Sequence, residues 1–340
     1  VTDNTQNTEL AMVFADRLEY PNRQLSAFTL DILAARREPS TLATYRREWQ
    51  RFCDWSTEQK IFDYPVTAYT AGAYLTWLHG TGLSRSTIRK AITVLGLAHD
   101  GSANPCSERM VREIIKGIMR RDRRPVKKAR PLALAELVAI CDQLTEIGDS
   151  RALRDRALLS VGWMAALRSA EIAGLNWGDV VEVEAGIELQ IRESKTNKTG
   201  EAEIIGLPLL HEAYQIVCPV RNLRAIMPAF ECSDTPLEPV FARYPATLFD
   251  IALPGRISTR LVQRAVTRGA NLARLEQHYS SHCLRRGFAT YAASRGVSEL
   301  TIMRHGRWKS SAVAQGYIER AKIWSDNPIR ELLGQNEQIT

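Results

Sequence analysis

Residues 120–131 read RRDRRPVKKARP, a stretch that no hydrophobic core can accept. It carries seven Lys or Arg against one Asp, two prolines and no apolar periodicity. Like charges packed this closely repel, and each proline removes a backbone donor that a helix or sheet would use. The chain must therefore fold as two bodies joined by this linker, and 340 residues suffice for two ordinary cores.

On the N-terminal side, residues 1–24 are polar and are expected to form a tail. Residues 25–121 then show helical periodicity throughout. Phe28, Leu30, Ile32 and Leu33 mark a first helix. Leu42, Tyr45, Trp49 and Phe52 mark a second, which Ser40 is expected to cap. A third should run over residues 68–78 to the His79-Gly80-Thr81-Gly82 breaker. Ser84 caps a fourth, and a fifth spans residues 105–121. The polar faces carry Arg46, Arg47, Arg85, Arg89 and Lys90. Basic helices followed by a basic linker suit a polyphosphate, so Arg120, Arg121, Arg123, Arg124, Lys127 and Lys128 are expected to contact nucleic acid as well.

With residues 122–131 as linker, the second body covers residues 132–340. Its most apolar region, residues 153–175, reads as helix broken near Arg168. The period then changes. Residues 180–184, 187–193 and 202–207 read as three short strands, with a TNKTG turn between the last two. Helices resume after Pro208, with one expected over residues 258–275 and a short terminal one at about residues 327–334.

Composition narrows the class. The formal charge is +7, a modest argument for an anionic partner. The six cysteines form no CxxC pair, which favours reduced thiols in the cytoplasm over disulfides or a zinc site. No basic n-region precedes an apolar core at the start, so no secretory signal is expected there. The longest mostly apolar run is about half the roughly 20 residues of a membrane span.

Several side chains suggest chemistry. Arg168 lies in an otherwise apolar region and is expensive to bury without an anion or carboxylate; Glu171 is the local candidate partner. Lys195 and Lys198 sit at the tip of the strand hairpin, where a lysine is ordinarily solvated but can reach a groove as general acid. His282 and Arg285, three apart, open a helix behind the capping serines Ser280 and Ser281, and a helix N-terminus favours an anion. Trp308 and Tyr317, nine apart, follow; taken singly, each reads as a packing residue.

In combination these segments carry more weight. LRSAE, the SKT hairpin, HCLRRGFATYAASRG and RHGRWKSSAVAQGYIER, in this order, resemble the tyrosine recombinase (lambda integrase) family, most like its Cre-type members. Two departures stand out: Ala166 where the family has Gly before Leu, and Ser169 where a branched apolar residue follows Arg. Trp308, as in Cre-type members, holds a position where His is common. His305 lies twelve residues before Tyr317 and does not match that spacing.

The resemblance implies a mainly α, two-domain DNA clamp. An all-helical core-binding domain would precede a mostly helical catalytic domain with a small antiparallel three-stranded sheet. It implies Tyr317 as nucleophile, Arg168 and Arg285 on the phosphate, Lys195 as general acid, His282 as base or phosphate donor, Trp308 as hydrogen-bonding and packing partner, and Glu171 as structural support. No metal or other cofactor is expected. The partners implied are double-stranded recombination sites and three further copies of the chain, forming a tetramer on two sites by exchange of the C-terminal helix. A type IB topoisomerase, a telomere resolvase and a non-catalytic DNA-binding regulator are the competing readings.

Overall fold

The computed structural model describes residues 38–61, 65–99, 104–124, 130–192, 202–227, 236–244 and 253–322. Four expectations fall outside them: the N-terminal tail with its first helix, the linker lysines Lys127 and Lys128, the hairpin tip with Lys195 and Lys198, and the terminal helix. The chain divides into two compact units, Val1–Val126 and Lys127–Thr340.

The described part of the first unit is helical. It comprises α1 (Pro39–Glu58), α2 (Ala68–Gly80), α3 (Arg85–Ala98) and, after a 3-10 turn at Pro105–Ser107, α4 (Arg109–Arg121). Ser40 does not cap α1. Glu38 occupies that place and Pro39 starts the helix, because proline needs no amide partner in the first turn. Thr67 and Ser84 cap α2 and α3 as side-chain acceptors for Thr70 N–H and Thr87 N–H. The core is aromatic: Phe52, Trp55 and Tyr74 pack with ring centres 5.1 to 6.0 Å apart. At the end of α4, Arg124 donates to both oxygens of Asp122 and to the carbonyls of Gly82 and Leu83. The start of the linker is thereby tied to the α2–α3 turn.

The second unit begins with α5 (Leu134–Ile147) and α6 (Ser150–Met164). The chain then turns sharply at Ala166, whose φ of 49° is left-handed, into the short α7 (Ser169–Gly174). Strands β1 (Val180–Val183), β2 (Gly186–Ile191) and β3 (Glu203–Pro208) form an antiparallel sheet in sequential order, close to the expected bounds. Its register pairs Val180 with Leu189 and Leu189 with Ile205. This alternation buries Ile187, Leu189, Ile191, Ile205 and Leu207 on one face. After α8 (Pro219–Arg224), a small pair of strands, β4 (Ala242–Arg243) and β5 (Leu253–Arg256), leads to α9 (Thr259–Leu272). The unit ends in α10 (His282–Ser294), α11 (Glu299–Gly306) and α12 (Ser311–Lys322).

Helices α5, α6, α9 and the sheet share one core around Leu137, Leu159, Trp163 and Leu284. Helix α10 comes close to the chain before α5 because Gly287 has no Cβ; one there would lie 2.1 Å from the Leu132 carbonyl oxygen. A second core of Ala289, Ala292, Ala293, Ile302, Trp308, Ala314 and Ile318 packs α10, α11 and α12 together. This smaller cluster carries the side chains considered next. Among the described residues, no helix is long and apolar enough to cross a membrane.

Candidate active site

The last turn of α6 leaves carbonyls without intrahelical partners, as every helix does. Three consecutive carbonyls, at the end of α6 and in the two residues after it, are taken by side chains from the C-terminal segments. His305 Nε2 lies 2.7 Å from Met164 O, Arg307 Nη1 3.4 Å from Ala165 O and Arg285 Nη1 2.5 Å from Ala166 O. Positive charge at a helix C-terminus is favourable, so the break before Arg168 gathers basic groups. A carbonyl requires a donor, which puts the His305 proton on Nε2. Stacked on Phe288 at 4.4 Å, that ring is engaged in structure.

Arg168 stands at the start of α7. Its amide donates to Glu171 Oε2 at 2.9 Å, and its guanidinium pairs with Oε1 of the same carboxylate. The local ion pair expected from spacing is present, but it is not self-contained. Arg307 Nη2 donates to Glu171 Oε2 at 2.8 Å, and Arg307 Nε lies 3.6 Å from Glu203 at the start of β3. Burial pushes the Glu171 carboxyl up, yet Arg307 and Arg168 together hold it below the usual range.

Arg285 is 1% exposed. Its guanidinium carbon lies 4.1 Å from the centre of the Trp308 ring, and its Nη2 is buried without a hydrogen-bond partner. Burial first, then repulsion from Arg168 and Arg307, pulls its pKa down to about 9. Such a cation has an unmet demand for an anion.

Across this floor, Tyr317 on α12 brings its hydroxyl 3.3 Å from His282 Nε2. Its ring lies 5.8 Å from that of Trp308. The His282 pKa lies below the ordinary imidazole value, through desolvation first and then the positive charges of Arg285, Arg286 and Arg168. A neutral imidazole beside a phenol can accept its proton. Trp308 reaches this place only because Gly306 lacks a side chain: a Cβ there would sit 1.8 Å from the indole ring.

The model of the phage integrase family matches residues 130–322. The chain belongs to the phage integrase family. Like its relatives, this tyrosine recombinase is an enzyme of DNA recombination. It is 28% identical over 317 residues to an integrase/recombinase xerD homolog of Selenomonas ruminantium, covering 92% of this chain and 90% of that protein. Tyrosine recombinase XerC 1 of Ralstonia nicotianae is 27% identical, over 82% and 85% of the two chains. Among solved structures, XerH recombinase in a post-cleavage complex with difH aligns at TM-score 0.58, with 14% identity and 99% and 90% coverage. A lambda integrase dimer on a COC′ core site aligns at TM-score 0.53, with 19% identity and 85% and 92% coverage. At these identities the structures speak for the fold.

In this family member the described residues bring together Arg168, Glu171, His282, Arg285, Trp308 and Tyr317. Lys195 lies outside them, on the chain between β2 and β3. Ser281 precedes α10 without capping it; its hydroxyl accepts from Ser169 at 2.7 Å, and its amide donates to Gln263 Oε1. The unusual Ser169 thus ties the two arginine segments together. Sequence reasoning missed Arg286 and Arg307. Arg286 is 5% exposed, with its guanidinium carbon 5.0 Å from the centre of the Tyr317 ring. The doubled arginine in LRRG and the charge inside HGRW were the available signals. In the first unit, Arg89, Lys90, Arg120, Arg121 and Arg123 are exposed, Arg85 pairs with Asp122 at 3.9 Å, and Arg46 is half-buried beside exposed Arg47.

Proposed function

We propose that this recombinase cuts and rejoins specific DNA sites through a covalent bond between Tyr317 and a 3′-phosphate. The Tyr317 oxygen attacks the scissile phosphorus, and its proton passes to His282 Nε2. The bond from phosphorus to the 5′-oxygen breaks, and that oxygen takes a proton from Lys195. Arg168 and Arg285 hold the non-bridging oxygens and offset the charge that grows on them. A 5′-hydroxyl from another strand then reverses the step, so the bond energy is conserved without ATP or metal. Exchange of one strand pair gives a Holliday junction. Double-stranded sites would be held by both domains and the linker, and a tetramer on two sites would assemble through the C-terminal helix.

One observation supports this reading above the others. A nucleophile and a neutral base stand 3.3 Å apart, beside a buried guanidinium with a donor left unused. A DNA-binding protein without chemistry has no need of that combination. The test is a nicked suicide substrate carrying the target site. A denaturant-stable protein–DNA adduct should form, and Tyr317→Phe should abolish it. If the unaltered chain forms no adduct on DNA that it binds, a non-catalytic regulator is the better reading.

A further inference from the structure

Two arginines follow one another on α10, and only Arg285 is provided with partners of ordinary kinds, the Ala166 carbonyl and the Trp308 face. Arg286 is as deeply placed, and its Nε is buried without an acceptor. Among the described residues no carboxylate or carbonyl meets it; the Glu171 carboxylate is taken by Arg168 and Arg307. What Arg286 does meet is the Tyr317 ring, 5.0 Å from its guanidinium carbon. A cation over an aromatic face is attractive, but weakly so compared with the cost of withdrawing a guanidinium from water. The balance changes once the ring oxygen becomes a phenolate, or is joined to a phosphate.

We propose that Arg286 is a positioning residue for the nucleophile: it fixes the Tyr317 ring and stabilises the negative charge that the ring carries during attack. This rests on the reading of Tyr317 as nucleophile and adds a cation that acts from the ring face.

Other charged or titratable groups surround the nucleophile: His282 meets the Tyr317 hydroxyl, Arg285 and Arg168 act with Arg286 on His282, and Glu171 and Arg307 join the same network through Arg285. Removing one positive charge from this group favours the protonated form of every neighbour. For His282 this raises the pKa, since Arg286 is one of the charges that depress it. Loss of Arg286 should therefore move the rising limb of the cleavage rate to higher pH. A residue that only filled space would lower the rate without moving that limb.

The experiment measures single-turnover adduct formation on the nicked substrate between pH 5 and 9, together with duplex affinity at fixed salt. Arg286→Gln should move the limb upward by about one pH unit and slow cleavage about 10-fold below it. Affinity should change less than about 2-fold, because the residue is buried. Arg286→Lys keeps the charge and should restore the limb and most of the rate. An unmoved limb in Arg286→Gln, or a loss of affinity equal to the loss of rate, overturns the proposal. If Arg286→Gln does not fold, Arg286→Lys decides: near-wild-type rate with an unmoved limb supports the charge, and a large loss of rate at an unmoved limb with normal melting overturns it. Wild-type protein without a Tyr317-dependent adduct would instead defeat the functional reading beneath it.

Discussion

The Arg285 guanidinium carbon lies 4.1 Å from the centre of the Trp308 ring, while its Nη2 stays buried and unbonded. The indole restrains the cation without consuming its donor. Removing a donor of this kind from a developing oxyanion costs about 3 to 4 kcal/mol, or roughly 10²–10³-fold in rate. We therefore expect Arg285→Ala to lose cleavage by about that factor in single-turnover adduct formation. Trp308→Phe retains an aromatic face and should lose much less, about 10-fold. Equal losses in the two variants would show that the ring does more than restrain the arginine.

Glu171 is the hinge of the charge network, 4% exposed and shared by Arg168 and Arg307. Removing one partner from a buried ionic cluster leaves the others uncompensated, so Glu171→Gln should destabilise the fold by about 3 kcal/mol in chemical denaturation. The folded-state pKa of Glu171 is depressed. Its contribution is therefore fully present above the ordinary carboxylate value, about 4.5, and is lost as pH falls through the folded value. The stability difference between wild type and Glu171→Gln should shrink below about pH 4. A difference independent of pH would contradict the assignment.

Local chemistry was legible in the sequence, and tertiary partners were not. Ser84 marked the start of α3, and period-two runs gave the three strands within a few residues. Arg168 and Glu171 lie on one turn, so their pairing follows from spacing. Arg307 and Glu171 are separated by 136 positions, and nothing near either names the other. Ser40 and Ser281 looked like caps because they precede apolar runs. Pro39 took over the first start, and contacts with Ser169 and Gln263 took over the second. Catalytic-type residues could be read as a set only through the ordered resemblance, since each alone is an ordinary packing or surface residue.

Arg124 and the linker lysines should behave differently towards DNA although they lie within five residues of one another. Arg124 is engaged by Asp122 and by the Gly82 and Leu83 carbonyls, and its hydrogen bonds hold the Asp122 carboxyl well below the usual range. Arg124→Gln should therefore change the thermal midpoint of the first unit more than the salt dependence of DNA affinity. Each phosphate contact removed lowers the steepness of log affinity against log salt by about 0.9. Lys127→Gln with Lys128→Gln should reduce that slope by about 2 while leaving the melting behaviour unchanged. An unchanged slope in the double variant would remove the linker lysines from the DNA interface.

Beyond α12, residues 323–340 include Ile323, Trp324, Ile329, Leu332 and Leu333, with Asn327-Pro328 as a helix start. A helix with so short an apolar face is unstable alone, so the expected terminal helix would need to dock on a folded surface. Docking in the same chain would stabilise the monomer. Docking on a neighbour would instead link protomers on DNA, and only the second predicts a loss confined to assembly. Deleting residues 326–340 should preserve affinity for a single half-site and the Tyr317-dependent adduct on a nicked substrate. It should abolish cooperative filling of paired sites in a gel-shift titration and the tetramer in sedimentation analysis. If cooperativity survives, the protomers are held by other surfaces. If half-site affinity and the melting midpoint fall together, the segment docks in cis.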